Sequence, residues 1–282
     1  MEELVFAFDV GVERRDSHFC FHLDYENAVY RQQDLVRLIR DSVEYFALTH
    51  EEFEEFRKAG DLPSARRIAW SRISTARKDK KGDYGELLLF LLLTFKMPQR
   101  VPRFVTKVRL RSSRSDQIKG FDCAHFTLED DEPCLWLGEA KFHQGISSAI
   151  ASSMESLEAH WAADYLKNEL KILGANIEAN YGVDPEMLRK LDAALNKGRS
   201  LDRLKFKVPI LLTYDSACIS TNQNVDEVFK TALKDELTTH FESIANKCVS
   251  VPENFSLLFI LMPLSSVAWI KSELEKAEEA MR

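Results

Sequence analysis

Two side chains in the stretch Leu135-Trp136-Leu137-Gly138-Glu139-Ala140-Lys141-Phe142 have the types and the spacing to work on a phosphate ester. The stretch reads as a buried strand, because apolar residues occupy both alternating faces at its start. Towards its end one face changes from Leu135 and Leu137 to Glu139 and Lys141, while Trp136, Gly138, Ala140 and Phe142 keep the other small or apolar. Residues two apart on a strand share a face and lie about 7 Å apart. An acid and an amine therefore project together from a hydrophobic strand, where charges are rare unless paired or bound to metal. Metal-dependent cleavage of a phosphodiester uses such a pair: a carboxylate to hold the ion and an ammonium near the attacked phosphate.

Two upstream acids extend the pattern. Asp122, in Lys119-Gly120-Phe121-Asp122, precedes Glu139 by a short interval with polar residues at its middle. That interval fits a hairpin, which would bring both carboxylates onto neighbouring strands and form a hard-oxygen site suited to Mg²⁺ or Mn²⁺. Glu86, in Gly82-Asp83-Tyr84-Gly85-Glu86, falls on the first turn of an apolar helix. Each acid also has a structural reading. Asp83 and Glu86 have the i, i+3 spacing of a capping box, Asp122 reads as a turn residue after Gly120, and Glu139 with Lys141 reads as an edge-strand charge pair. Leu135-Trp136-Leu137 argues against an exposed edge, and the ordered set of three acids and a lysine is more specific than any one member.

The elements that would position these residues follow from periodicity. Short strands are expected at 3–10 and 17–24, then helices at 31–48, 50–58 and 63–76. The segment 84–95 is apolar on every side and predicts a buried helix, ended by Pro98 and Pro102. Strands at 105–110, 120–128 and 134–142 precede helices at 146–172 and 184–196. A strand at 205–214 follows, in which Pro209 argues against a central position, and then a helix at 224–247, a strand at 255–262 and a helix at 265–281. The order predicts an α/β fold, with α+β as the alternative: a mixed central sheet flanked by helices. Residues 1–80 are expected to pack as N-terminal strands and helices against a core at 81–282 with a helical C-terminal half, or to join it in a single domain.

Composition bounds the rest. The chain has 282 residues, 45% hydrophobic and 29% charged, enough to bury a sizeable core. Met1-Glu2-Glu3 opens no basic segment with an apolar run behind it, so no secretory signal is expected. The longest apolar run, around 87–95, is far below the roughly 20 residues of a membrane span. Five cysteines without a Cys-x-x-Cys pair predict reduced thiols in a cytoplasmic protein. Net charge is −7, yet residues 66–119 hold 15 Lys/Arg against four acids, a block of +11 that leaves −7 − 11 = −18 elsewhere. Such a block is an electrostatic footprint for phosphates or a docking face for an acidic partner.

Other motifs point to less. His18, Cys20 and His22 alternate onto one strand face, but three ligands on one short strand make a poor tetrahedral zinc site, and packing is the better reading. His125 and His143 lie near the expected cleft and read as structural. Gly82-x-x-Gly85 lacks the Lys-Ser/Thr ending of a phosphate loop, and no Gly-x-Ser-x-Gly elbow is present.

In order and spacing, Gly85-Glu86, Gly120-Phe121-Asp122 and Glu139-Ala140-Lys141 resemble the PD-(D/E)xK nuclease superfamily, in which a helix acid precedes a strand aspartate and then a Glu-x-Lys strand. Phe121 stands where that pattern has its proline. More narrowly, Lys81-Gly82-Asp83-Tyr84-Gly85-Glu86-Leu87, Lys119-Gly120-Phe121-Asp122 and Trp136-Leu137-Gly138-Glu139-Ala140-Lys141-Phe142 look like the HamA family, nuclease subunits of the Hachiman anti-phage defence system. The motifs cover about 80–145, and the length and helical C-terminal half are similar in general character. The resemblance implies a PD-(D/E)xK nuclease-like core and a metal-dependent DNA nuclease acting as effector. Asp122, Glu139 and Glu86 would be the ligands of Mg²⁺ or Mn²⁺, and Lys141 would join them in catalysis. Gln144 falls where related enzymes often carry a helpful polar residue. A HamB-like helicase partner would engage DNA and control cleavage. The competing reading is a catalytically inactive nuclease fold serving as a scaffold or regulatory subunit of a nucleic-acid-processing complex.

Overall fold

The computed structural model describes residues 3–9, 18–73, 83–96, 104–106, 121–129, 132–160, 186, 189–190, 193, 204–247, 251 and 253–281. The strands are β1 (Val5–Phe8), β2 (His18–Leu23), β3 (Tyr25–Glu26), β4 (Val29–Tyr30), β5 (Phe104–Thr106), β6 (Cys123–Glu129), β7 (Glu132–Phe142), β8 (Lys205–Asp215) and β9 (Phe255–Leu264). The helices are α1 (Gln32–Arg40), α2 (Val43–Ala47), α3 (His50–Ala59), α4 (Leu62–Arg72), α5 (Asp83–Lys96), α6 (Ile146–His160), α7 (Ala217–Thr221), α8 (Glu227–Lys247) and α9 (Val267–Ala280).

Among the described residues the main sheet has seven strands in the order β1-β2-β9-β8-β7-β6-β5. β2, β9, β8 and β7 run parallel, and antiparallel strands close both ends. This is a mixed α/β fold. The composition of the central strands explains their place. Phe206-Lys207-Val208-Pro209-Ile210-Leu211-Leu212 and Leu257-Leu258-Phe259-Ile260-Leu261-Met262 are nearly continuous apolar runs, as strands covered on both faces require. β1 and β2 belong to the same sheet as the strands beyond residue 81, because β2 pairs with β9.

Helices cover both faces. α8 turns Phe229, Leu233, Leu237, Phe241 and Ile244 inward at helical spacing, and its rings meet His22 and His18 of β2. On the opposite face α1 contacts both α5 and α9, and Tyr84 Oη of α5 donates to Glu278 Oε2 of α9 at 3.0 Å. Phe46 of α2 packs its ring 5.6 Å from Phe90 of α5, bringing the N-terminal helices onto that layer.

Two expectations need correction. The helix expected at 31–48 is two helices, since the chain breaks at Asp41 and Ser42, where Ser42 Oγ donates back to the Leu38 carbonyl at 2.7 Å. Pro209 does occupy a central strand. The β7–β8 ladder pairs Cys134–Trp136 with Lys205–Lys207, resumes at Glu139 with Ile210, and leaves Val208 and Pro209 without partners on β7. The missing N–H thus falls in a gap of the ladder, while the β9 side remains paired through Pro209 with Leu258. The remaining elements lie close to their expected positions. The expectations for 74–76, 107–110 and 161–172, and most of 184–196, fall outside the described residues.

Candidate catalytic strand and its flanking acids

β7 is an interior strand between β6 and β8. Its Glu139 is only 4% exposed, and the Lys141 side chain is 14% exposed. The Lys141 ammonium donates to Glu139 Oε1 at 2.5 Å and to Ser156 Oγ of α6 at 2.8 Å. The pair therefore faces the layer of α6, and a buried charge has both a counter-charge and a hydrogen bond, as its desolvation demands. Ser156 is invisible to linear spacing: it lies well past the strand, on a helix whose opening small residues all read alike.

Asp122 sits just before β6 and is 9% exposed. The β6–β7 ladder ends with Cys123 opposite Gly138. Beyond it the Asp122 N–H donates to the Gly138 carbonyl at 2.8 Å, and Asp122 Oδ2 accepts from the Ala140 N–H at 2.8 Å. Asp122 is thereby bound to the residues on either side of Glu139. A carboxylate oxygen here stands in for a backbone carbonyl at the strand end, a charge-assisted contact stronger than a neutral one. The hairpin expectation holds, and it brings Asp122, Glu139 and Lys141 into one neighbourhood.

Glu86 arrives from elsewhere. It is 6% exposed on the first turn of α5. A Cβ added at the preceding Gly85 would lie 3.1 Å from Phe142 Cβ and 3.4 Å from Ala140 Cβ, so this helix rests on the Ala140–Phe142 face of β7. That face is opposite the one presenting Lys141 to Ser156. Glycine gives the helix backbone room for this close approach. Oxygens of Asp122, Glu139 and Glu86 are the hard donors that Mg²⁺ and Mn²⁺ prefer. Among the described residues, however, no three His, Cys, Asp or Glu side chains gather closely enough to hold an ion together.

Beyond the pair, His143 Nδ1 lies 3.3 Å from Ser148 Oγ. Burial first, and then the charges of Lys271 and Lys141, hold its ring below the ordinary histidine range. The Gln144 side chain is exposed, and its carbonyl accepts from the Asp215 N–H at 2.8 Å. The His125 side chain lies outside the described part, as does most of the basic block. Two described members of that block serve the N-terminal helices: Arg66 pairs with Glu44 at 2.5 Å, and Arg72 pairs with Glu52 at 2.5 Å while also donating to the Ala47 carbonyl at 2.9 Å.

The alternating His18, Cys20 and His22 are packed among rings. His18 lies 4.4 Å from the Phe241 ring, and His22 touches Phe6, Phe8 and Phe229 at 5.6–6.0 Å. Burial raises the Cys20 thiol well above its ordinary value and pushes Cys134 up to about 11, so neither is an activated nucleophile. No described helix is long and apolar enough to cross a membrane.

Likeness to a known family extends along nearly the whole chain. No curated protein matches it. A family model described as HamA matches residues 3–277, spanning the sheet from β1 into α9 and including Glu86, Asp122, Glu139 and Lys141. The chain belongs to the HamA family, whose name marks a component of Hachiman anti-phage defence.

Proposed function

We propose that this chain is a metal-dependent DNA nuclease, the effector subunit of its defence complex, controlled by a HamB-like helicase. The observation that carries the reading is the Glu139–Lys141 pair buried at the end of an interior strand, with Asp122 bound to both neighbours of Glu139. A purely structural strand would gain nothing from charges in this place, since hydrophobic residues of similar volume are commonly as stable.

The donor set fits a hard divalent cation. Asp122 and Glu139 would hold Mg²⁺ or Mn²⁺, with Glu86 contributing from α5 directly or through water. When bound, the ion lowers the pKa of a water ligand and offsets charge developing on the phosphate. The chain's own groups do the positioning. Two main-chain contacts hold Asp122 before any substrate arrives, so its carboxylate needs little reorganisation. Ser156 and Glu139 hold the Lys141 ammonium, which orients the attacking water or neutralises the pentavalent phosphate. The basic block at 66–119 would follow the nucleic-acid backbone, giving salt-sensitive and largely sequence-independent binding.

A scaffold reading is favoured by one observation: among the described residues no three His, Cys, Asp or Glu side chains gather closely enough to hold an ion. Plasmid cleavage separates the two readings. The purified chain is incubated with Mg²⁺ or Mn²⁺, alone and with the helicase, beside Glu139→Ala. Cleavage requiring metal and Glu139 is the expected result, and dependence on the helicase would locate control there. Intact DNA in every lane, with the complex verified as assembled, would establish the scaffold.

A further inference from the structure

We propose that Lys271, on α9, is a phosphate contact for the nucleic-acid strand that passes the end of β7. The proposal rests on the nuclease reading for the identity of its ligand, but its test does not depend on cleavage.

Hydrogen bonds fix the place of this lysine. The Asp215 N–H donates to the Gln144 carbonyl at 2.8 Å, and Asp215 Oδ1 accepts from the Val267 N–H at 2.6 Å. The C-terminal ends of β7 and β8 are thereby bound to the first turn of α9. Lys271 follows one turn later, and its ammonium stands 5.5 Å from the centre of the Phe142 ring. Phe142 points away from the face of Glu139 and Lys141. The end of β7 therefore carries an ammonium on each face, and both act electrostatically on His143. Parallel strands of an open α/β sheet present their carboxyl ends as the usual ligand crevice.

The surroundings of Lys271 leave a counter-charge to be supplied. The lysine is half-buried, and among the described residues no carboxylate lies within 4 Å of its ammonium. Glu275 and Asp215 are the acids that act on it, and Asp215 already receives the Val267 N–H. Burial outweighs them and holds the ammonium below the ordinary lysine range. The Phe142 face offsets part of that cost. A phosphate oxygen would offset the rest, and a compact ammonium on a flexible stem is a good point-charge partner for it.

The test is equilibrium binding of labelled duplex and single-stranded DNA to the full chain in EDTA, across a salt series. Lys271→Ala should weaken binding several-fold and reduce the slope of log K against log salt by about 0.9, the value for one phosphate contact. Lys271→Arg should retain most of both. A Lys271→Ala protein with unchanged thermal melting, affinity and slope would overturn the proposal, as would a wild-type chain that binds neither DNA. Should Lys271→Ala fail to fold, the slope of Lys271→Gln decides instead. A chain that binds through Lys271 yet never cleaves under any metal would keep this contact and sink the nuclease reading. Cleavage that needs Glu139 but is indifferent to Lys271 would do the reverse.

Discussion

β2 and β7 carry the same kind of pattern and use it in opposite ways. On each, side chains capable of chemistry alternate along one face: His18, Cys20 and His22 on β2, Glu139 and Lys141 on β7. On β2 the face meets Phe229 and Phe241 of α8, so the imidazoles pack as aromatic rings and the thiol is kept protonated by burial. On β7 the face meets a hydroxyl and its own opposite charge, while an aspartate is bound to the backbone alongside. Alternation brings groups together, and the facing layer decides whether they become core or reagent. An aromatic layer removes charge, whereas a polar contact keeps it.

The largest effect should come from breaking the charged pair. Glu139→Ala is expected to reduce cleavage by on the order of 10³-fold or more, and to cost about 3–5 kcal/mol by leaving a buried ammonium without its partner. Lys141→Ala should destabilise similarly, and the double variant should be more stable than the sum of the two predicts, a coupling read from urea midpoints. His22→Phe on β2 should cost under about 1.5 kcal/mol, as an exchange of one buried ring for another. Equal losses at both strands would erase the contrast. Next in size is Gly85→Ala, whose Cβ would press on Phe142 and Ala140. It should cost about 1–3 kcal/mol by overpacking and lower cleavage by shifting Glu86, both measurable on one preparation.

A pH series sharpens the β2 side. Burial, the leading cause, lowers the His22 pKa from its ordinary 6.5, outweighing the Leu23 carbonyl and Asp24. The unfolded chain then takes up the proton before the folded one does. The stability this group contributes is present above about pH 6.5 and is lost as pH falls below it towards the folded value. Urea midpoints at pH 7.5 and 5.5 should fall less for His22→Phe than for the wild type. His143 and His240, lowered in the same direction, leave a residual slope. An equal drop in both proteins would mean that His22 is not held neutral. The smallest change should be Ser156→Ala, about 1 kcal/mol and a few-fold in rate from one lost hydrogen bond to Lys141, with Ser156→Thr restoring both.

Much of this organisation was legible in the chain. The apolar runs of β8 and β9 announce strands covered on both faces, and the short interval from Asp122 to Glu139 announces a hairpin. Linear spacing could not reach Ser156 and Lys271, because both come to β7 from helices whose approach is set by tertiary packing. Nor could it show that α5, the helix carrying Glu86, packs at Gly85 against Ala140 and Phe142, since that depends on which layer α5 joins. Pro209 misled because the rule against proline in a central strand assumes an unbroken ladder, and here the ladder opens where the N–H is missing. The basic block promised a phosphate track, yet Arg66 and Arg72 pair with acids of the N-terminal helices. Charge counts along a chain cannot separate cations that bind a ligand from those that fasten one helix to another.

The strand order has a consequence for how this protein comes to be. β2 finds its parallel neighbour in β9, with His18 paired to Phe259 from almost the other end of the sequence. Loops of that length close slowly, and folds rich in such pairings form late and together. β8 gains its second neighbour only when β9 emerges, and α9 follows β9 before Tyr84 can reach Glu278. A growing chain on the ribosome therefore holds Glu139 and Lys141 on a sheet that still lacks its middle. For a protein proposed to cut DNA, this order of assembly would be a safeguard for the host, delaying the cutting strand's final setting until β9 has been made.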